Sequence, residues 1–221
     1  MKLAYPLLNE PIVFEEEKIN VLVIENPIEL RNSVTELQLQ IDGEDGQFVL
    51  SDCNQILPFA TKAVFITDPL NLQVNSRKVS GKIDQLAYFV SNDHFDEVQD
   101  ILFRLNALAA EICTGIEYEV TYSPLESGES LMKIMDFHID EEGLSLPEKI
   151  LEYMKVSRAL LNKEVFLFLN LKAFLSKEEL TLLYRSMQYE KLHVLLIEDV
   201  QRRGIPEYEK TTIVDEDLCI L

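Results

Sequence analysis

The sequence holds no tryptophan, three cysteines, three histidines and only seven glycines in 221 residues. With glycine so scarce, no GxGxxG stretch occurs, and nothing resembles a glycine-rich loop ending in Lys-Ser/Thr. The backbone cradle of standard dinucleotide or ATP binding is therefore missing. Cys53, Cys113 and Cys219 are far apart, odd in number and form no CxxC. They are expected as reduced thiols of a cytosolic protein. His94, His138 and His193 form no HxxxH, and there is no GxSxG nucleophile motif. No run approaches the ~20 apolar residues of a membrane helix. The opening Met1-Lys2-Leu3-Ala4-Tyr5-Pro6 lacks the apolar core and cleavage site of a signal peptide. A cytoplasmic location with no membrane partner is expected. Basic residues are also few, 20 against 39 acidic ones, for a net charge of -19. That charge argues against a chain coated in nucleic acid. It leaves room for a locally basic channel, or for acidic clusters neutralised by cations.

What is present is a core-forming α/β pattern. Hydrophobic residues make up 47% of the chain, enough for a substantial interior. Val165-Phe166-Leu167-Phe168-Leu169 and Leu192-His193-Val194-Leu195-Leu196-Ile197 read as strands buried on both faces. Between them Ser176 and Glu179 form a capping-box pair, and Leu180, Leu183, Tyr184 and Met187 mark one helix face. Strand, helix and strand predict a right-handed crossover in a parallel sheet. Its polar strand ends, Asn170 and Glu198-Asp199, fall where such sheets place ligands. His193, inside a strand, is expected as a hydrogen-bonded core histidine.

Earlier in the chain, Leu3 to Leu8 reads as an edge strand, with Pro6 tolerable there. Val13–Glu15 and Asn20–Glu25 read as a hairpin turning near Glu16-Glu17-Lys18. Pro27 opens a helix to about Ile41. Phe48-Val49-Leu50 and Ala63–Asp68 are further strands. The texture then becomes helical: about 76–90, 95–113, 130–135 and 147–162. On the second of these, Val98, Ile101, Leu102, Leu105, Leu108, Ala109 and Ile112 form a stripe. A strand near Thr211–Val214, with a further one at Leu218–Leu221, closes the chain. The expectation is an α/β domain over 1–70 plus 160–221, interrupted by a helical domain over 71–159. At the first βα turn stands Asn26-Pro27-Ile28-Glu29, where Pro27 lacks an amide proton and the flanking glutamates repel phosphate.

Two sets of residues carry possible chemistry. Glu117 and Glu119 flank Tyr118 in an extended-looking segment and project to one side. Glu126 and Glu129 are three apart and share a face if helical. These four carboxylates could surround a hard cation such as Ca2+, which takes six to eight oxygens. No EF-hand loop is present, and a solvated acidic face is the alternative. The basic set is Arg77, Lys78 and Lys82 on the first helix of the insertion, with Lys133, Lys149, Lys155 and Arg158 on later ones. Ordinary helix-surface charge is the alternative there, unless a ring of identical subunits multiplies each lysine around an axis.

Several segments, in order, resemble a known family, that of the small accessory protein of type II-A CRISPR–Cas loci needed for acquiring new spacers. Tyr5-Pro6-Leu7-Leu8-Asn9-Glu10-Pro11 is similar to its F-P-L-L-x-E-P opening. Val21-Leu22-Val23-Ile24-Glu25 resembles its first buried strand. Phe65-Ile66-Thr67-Asp68-Pro69-Leu70 and Val74-Asn75-Ser76 are similar to its V-T-D-I-L and V-N-S. Phe166-Leu167-Phe168-Leu169-Asn170, then Phe174-Leu175-Ser176-Lys177-Glu178-Glu179, resembles L-I-F-V-N and F-L-T-K-D-E. Val194-Leu195-Leu196-Ile197-Glu198 and Asp215-Glu216-Asp217 echo the family's last motifs. The likeness is weak over about 92–145.

The resemblance implies a P-loop-ATPase-like α/β head with a parallel sheet but no Walker A motif, interrupted by a helical leg. It implies a homotetrameric ring that threads linear double-stranded DNA, held in shape by Ca2+, with no catalytic activity. Expected protein partners are the CRISPR integrase proteins and the RNA-guided effector nuclease of the same locus. By position, Glu129 lies nearest the family's calcium carboxylates, and Lys133 matches one of its basic residues. Two further classes compete: a non-catalytic interaction scaffold, and a nuclease using the carboxylates with Mg2+.

Overall fold

The computed structural model describes residues 1–221. Its strands are β1 (Lys2–Ala4), β2 (Ile12–Val13), β3 (Ile19–Ile24), β4 (Val49–Asp52), β5 (Gln55–Leu57), β6 (Ala63–Ile66), β7 (Val165–Leu169), β8 (His193–Glu198) and β9 (Glu209–Val214). Its helices are α1 (Pro27–Ile41), α2 (Phe59–Lys62), α3 (Arg77–Ser91), α4 (Phe95–Gly115), α5 (Gly128–Ile134), α6 (Leu146–Leu161) and α7 (Lys177–Tyr189). Met1–Val74 and Glu141–Leu221 form one compact unit, and Asn75–Asp140 a second.

The first unit is an α/β fold around a parallel sheet in the order β6-β7-β8-β3-β9. Its central strands are mostly apolar because both faces are covered, with Asn20 on β3 and His193 and Glu198 at the ends of β8 as the polar exceptions. Successive side chains alternate between two cores. Val165 and Leu167 of β7, Leu195 and Ile197 of β8, and Leu22 and Ile24 of β3 share one core with Leu37 of α1. Leu3 and Leu50 of a small antiparallel sheet, ordered β2-β1-β4-β5, close that same core. Phe166 and Phe168, Val194 and Leu196, and Val21 and Val23 point the other way. There they meet Ile150 and Met154 of α6 and Leu180, Leu183, Tyr184 and Met187 of α7. Burial of each such side chain contributes about 1.5–3 kcal/mol relative to exposure.

The crossover follows its sequence signals. Ser176 caps α7, its hydroxyl accepting from the Glu179 amide while the Glu179 carboxylate accepts from the Ser176 amide at 2.8 Å. All four residues of the apolar stripe are buried. α1 begins at Pro27, and Asn26 Oδ1 accepts from the amides of Ile28 and Glu29. The amides that would face a phosphate at this βα turn are thus already bonded.

Three expectations fail. β2 and β3 are not a hairpin: β2 pairs with β1, and β3 lies between β8 and β9 in the other sheet. β1 is not an edge strand, since β2 and β4 flank it, and Pro6 lies beyond its end. α6, assigned on sequence to the helical insertion, packs Ile150 and Met154 into the sheet core, so it belongs with the first unit. The short β5 and α2 lie in a stretch that carries no clear periodicity.

Candidate nucleic-acid interface

Asn75 ties the two ends of the second unit together. Its Oδ1 accepts from the Ile139 amide at 2.8 Å and its Nδ2 donates to the Ile139 carbonyl at 2.9 Å. Asn106 of α4 does the same for the irregular segment before α5, bonding both backbone groups of Leu125. Tyr122 donates its hydroxyl hydrogen to the Asn106 carbonyl at 3.0 Å. Gly128 lets the start of α5 approach α4, where an added Cβ would lie 3.1 Å from Val98 Cγ1.

The core these residues enclose is small: Val98 and Leu102 of α4 with Leu131 of α5, flanked by Leu125 and Met132. Of the expected α4 stripe only Val98 and Leu102 are buried. Ile101, Leu105, Leu108 and Ile112 are exposed, and Phe103 on the same helix is 74% exposed. Phe89 of α3 is equally exposed, and so in large part are Val90 next to it and Leu86 three residues before it. Most of these apolar side chains stay largely uncovered in the single chain.

Arg77 and Lys78 occupy the first turn of α3, exposed and in no ion pair, with no acidic residue beside them in that turn. Cations at a helix N-terminus oppose the macrodipole, so this placement does not stabilise the helix. Lys82, one turn on, donates to Gln85 Oε1 at 3.3 Å. Lys133 of α5 pairs with Glu129 at 2.7 Å, and that hydrogen bond, with the nearby charge, raises the lysine above its ordinary value. Lys149 and Lys155 lie on α6 in the first unit, paired with Glu141 at 2.9 Å and Glu152 at 3.2 Å.

The expected carboxylate cluster does not form. Glu117 and Glu119 lie exposed in an irregular segment. Glu126 precedes α5 and Glu129 sits in its first turn, so the two do not share a helix. No group of three His, Cys, Asp or Glu side chains gathers closely enough to hold a metal ion. Glu129 is already engaged by Lys133. Within one chain these residues do not fit Ca2+.

Sequence spacing missed the most deeply buried charges. Lys172, just after β7, pairs with Glu209 at the start of β9, and Tyr184 donates to the same carboxylate at 2.9 Å. Glu198 accepts from the Lys172 amide at 3.1 Å and from Arg202 at 2.7 Å. Burial raises the Glu198 carboxyl above its ordinary value, against these partners. Lys172, Glu198, Arg202 and Glu209 line a cavity of about 230 Å³. The signal available was Glu198 at a strand end; nothing local announced Lys172 or Glu209. At the adjoining strand end, Asn170 Oδ1 accepts from the Asp199 amide.

A family model described as CRISPR-associated protein (Cas_Csn2) matches residues 40–218. A CRISPR-associated protein Csn2 from Streptococcus agalactiae is 25% identical over 228 residues, covering 100% of this chain and 97% of that protein. One of the same name from Enterococcus faecalis is 26% identical over 92% of this chain and 93% of its own. Among solved structures, a putative ABC transporter ATP-binding protein from Pyrococcus furiosus aligns over 95% of this chain and 93% of its own, at 14% identity and a TM-score of 0.39. A dimeric ATP-binding cassette bound to ADP and phosphate aligns over 97% and 94%, at 10% identity and a TM-score of 0.41. No helix is long and apolar enough to cross a membrane.

Proposed function

The chain belongs to the Csn2 family of CRISPR adaptation proteins, and on that footing we propose that it binds the ends of linear double-stranded DNA, without reading their sequence, as a ring of four copies that supports spacer acquisition. The observation that carries this proposal is α4, which buries two residues in its own unit and leaves Ile101, Phe103, Leu105, Leu108 and Ile112 exposed. Copies of the same helix supply a self-complementary partner in a closed symmetric assembly. Arg77 and Lys78 support the DNA side of the proposal: they are exposed cations with no ion-pair partner, and assembly multiplies them. A net charge of -19 suits an assembly whose outside is acidic and whose lumen alone attracts phosphate. Phosphate contacts are indifferent to sequence and weaken steeply with salt.

No catalytic step belongs to this function. The integrase proteins and the RNA-guided effector nuclease of the locus are the proposed protein partners. Calcium dependence comes with the family resemblance, but Glu117, Glu119, Glu126 and Glu129 do not fit an ion within one chain, so no step is assigned to it. A second reading, a scaffold that binds only proteins, is favoured by the pairing of Lys133, Lys149 and Lys155 with carboxylates.

A mobility-shift assay separates them, using linear and covalently closed DNA of one sequence, with calcium and with chelator. Threading predicts a shift of the linear form alone. Equal shifts of both forms would replace threading by surface binding, and no shift of either would leave the scaffold. Disappearance of the linear shift in chelator would establish the calcium requirement.

A further inference from the structure

At the end of the parallel sheet where β7 and β8 begin lies a cavity of about 320 Å³, lined by Arg158, Asn162, Lys163, Glu164, Lys191 and His193. This is the end opposite the one where α/β sheets usually hold ligands. It is at the small end of the ~300–1,000 Å³ range of small-molecule sites. Three of its six lining residues are cations, in a chain with about half as many basic residues as acidic ones.

Arg158 and Lys191 leave positive charge available. Arg158, in the last turn of α6, donates to the carbonyl of Glu190 at the end of α7 and has no carboxylate partner. A guanidinium has five N–H donors, so most of its capacity remains. Lys191 pairs with Glu16 at 2.8 Å, and both side chains are more than half exposed. Such a pair is weak and readily exchanged. Lys163 donates to the carbonyls of Ala60 and Ala63 at 2.8 and 3.0 Å. The one carboxylate of the lining, Glu164, is held by Lys62. Part of the positive charge offsets the carbonyl ends of α6 and α7.

The cavity wall also holds an orphan. His193 Nδ1 is buried and has no hydrogen-bond partner, although buried polar atoms are nearly always paired. Burial first, then the N-terminal ammonium and Arg158, lowers this imidazole below its ordinary value; Glu164 and Asp52 oppose that shift. Its charged form is therefore disfavoured, and the ring lines the same cavity as Arg158. The negative charge of the whole chain does not forbid an anion here, because exposed charges beyond about 8–10 Å are largely screened at physiological salt.

We propose that this cavity binds a phosphate-class oxyanion, either free or as the terminal phosphate of a nucleic-acid strand. Arg158 supplies bidentate donors, Lys191 exchanges Glu16 for the anion, and the His193 imidazole provides a polar wall. The site stands apart from the DNA-threading proposal, since inorganic phosphate can occupy it whether or not DNA passes through a ring.

The three histidines make the test direct. Long-range nitrogen–proton correlation spectra of the full chain are recorded during titration with three probes at constant ionic strength. These are inorganic phosphate, a 5′-phosphorylated short duplex and the same duplex without the phosphate. A saturable shift of His193 with His94 and His138 unmoved is expected from phosphate, from the phosphorylated duplex, or from both; which probe acts identifies the source. Arg158→Gln should weaken that binding about tenfold or more, as removal of a charge-assisted hydrogen bond requires. Lys191→Gln should weaken it by a smaller factor while leaving the bond from Arg158 to the Glu190 carbonyl intact, so misfolding of one variant does not end the test. No saturable shift of His193, joint movement of all three histidines, or an equal shift from the unphosphorylated duplex would overturn the proposal.

Discussion

Lys172 and Glu209 form an ion pair across 37 residues of sequence with side chains only 4% and 2% exposed. The Glu209 carboxylate also accepts from Tyr184, and burial, then Glu209, raises that phenol well above its ordinary value. Removing one member of such a pair strands the other charge in the interior, which costs about 3–5 kcal/mol. Lys172→Met should therefore lower unfolding free energy by roughly that amount in urea titrations. Lys172→Met with Glu209→Gln should recover most of it, because the amide oxygen keeps an acceptor for Tyr184 without a charge. A double variant as unstable as the single one would mean that charge is not what the site requires.

The crossover was legible in the sequence because its signals are local and agree with one another. Ser176 and Glu179 cap the helix they precede, and Leu180, Leu183, Tyr184 and Met187 share a face at any helical geometry. The Asn20–Glu25 segment was recognised as a strand but given the wrong partner. Short apolar segments reveal strand character, not the sheet they join, and β2 and β3 turned out to lie in different sheets. Helical periodicity has the same limit. It marks an apolar face on α4 and another on α6, yet α6 buries its face in the sheet core while α4 leaves most of its own exposed. The expected carboxylate site failed because Glu126 and Glu129 sit on opposite sides of a helix boundary set by Ser127 as N-cap. Spacing three apart means a shared face only within one helix.

Glu198 gives a pH-dependent test. Its folded value is raised above the ordinary 4.5, chiefly by burial. The folded protein therefore holds a proton that the unfolded chain releases. The stability this carboxyl contributes is full below pH 4.5 and is lost as pH rises through the raised folded value. Glu198→Gln cannot release that proton, so relative to the parent it should gain stability as pH rises across this window. Paired urea titrations at several pH values measure the difference, which cancels the other carboxyls. A constant difference would show that Glu198 titrates alike in both states.

Leu108 tests the exposed face of α4, which it shares with Ile101, Leu105 and Ile112. At 53% exposure it contributes little to its own chain, and Leu108→Asp should change single-chain stability by no more than about 0.5 kcal/mol. In an assembly through this face it would bury a carboxylate against apolar side chains. Sedimentation velocity should show smaller species for the variant, with an unchanged helical signal. An unaltered sedimentation coefficient would place the interface elsewhere.

Arg77, Lys78 and Lys133 separate free cations from engaged ones. The logarithm of DNA affinity falls linearly with the logarithm of salt concentration, with a slope of about -0.9 per neutralised phosphate on duplex DNA. Arg77 and Lys78 have no ion-pair partner, so Arg77→Gln with Lys78→Gln should flatten the slope by about that amount for each phosphate no longer neutralised, repeated around the ring. Lys133 must first give up Glu129, whose hydrogen bond raises it, and Lys133→Gln should flatten the slope less. Glu129→Gln releases Lys133 without adding a basic residue, and should tighten binding and steepen the slope. Fluorescence anisotropy on a linear duplex across a range of potassium chloride reads all three. If Lys133→Gln flattened the slope more than the Arg77 and Lys78 changes together, the DNA path would follow α5 and not the start of α3.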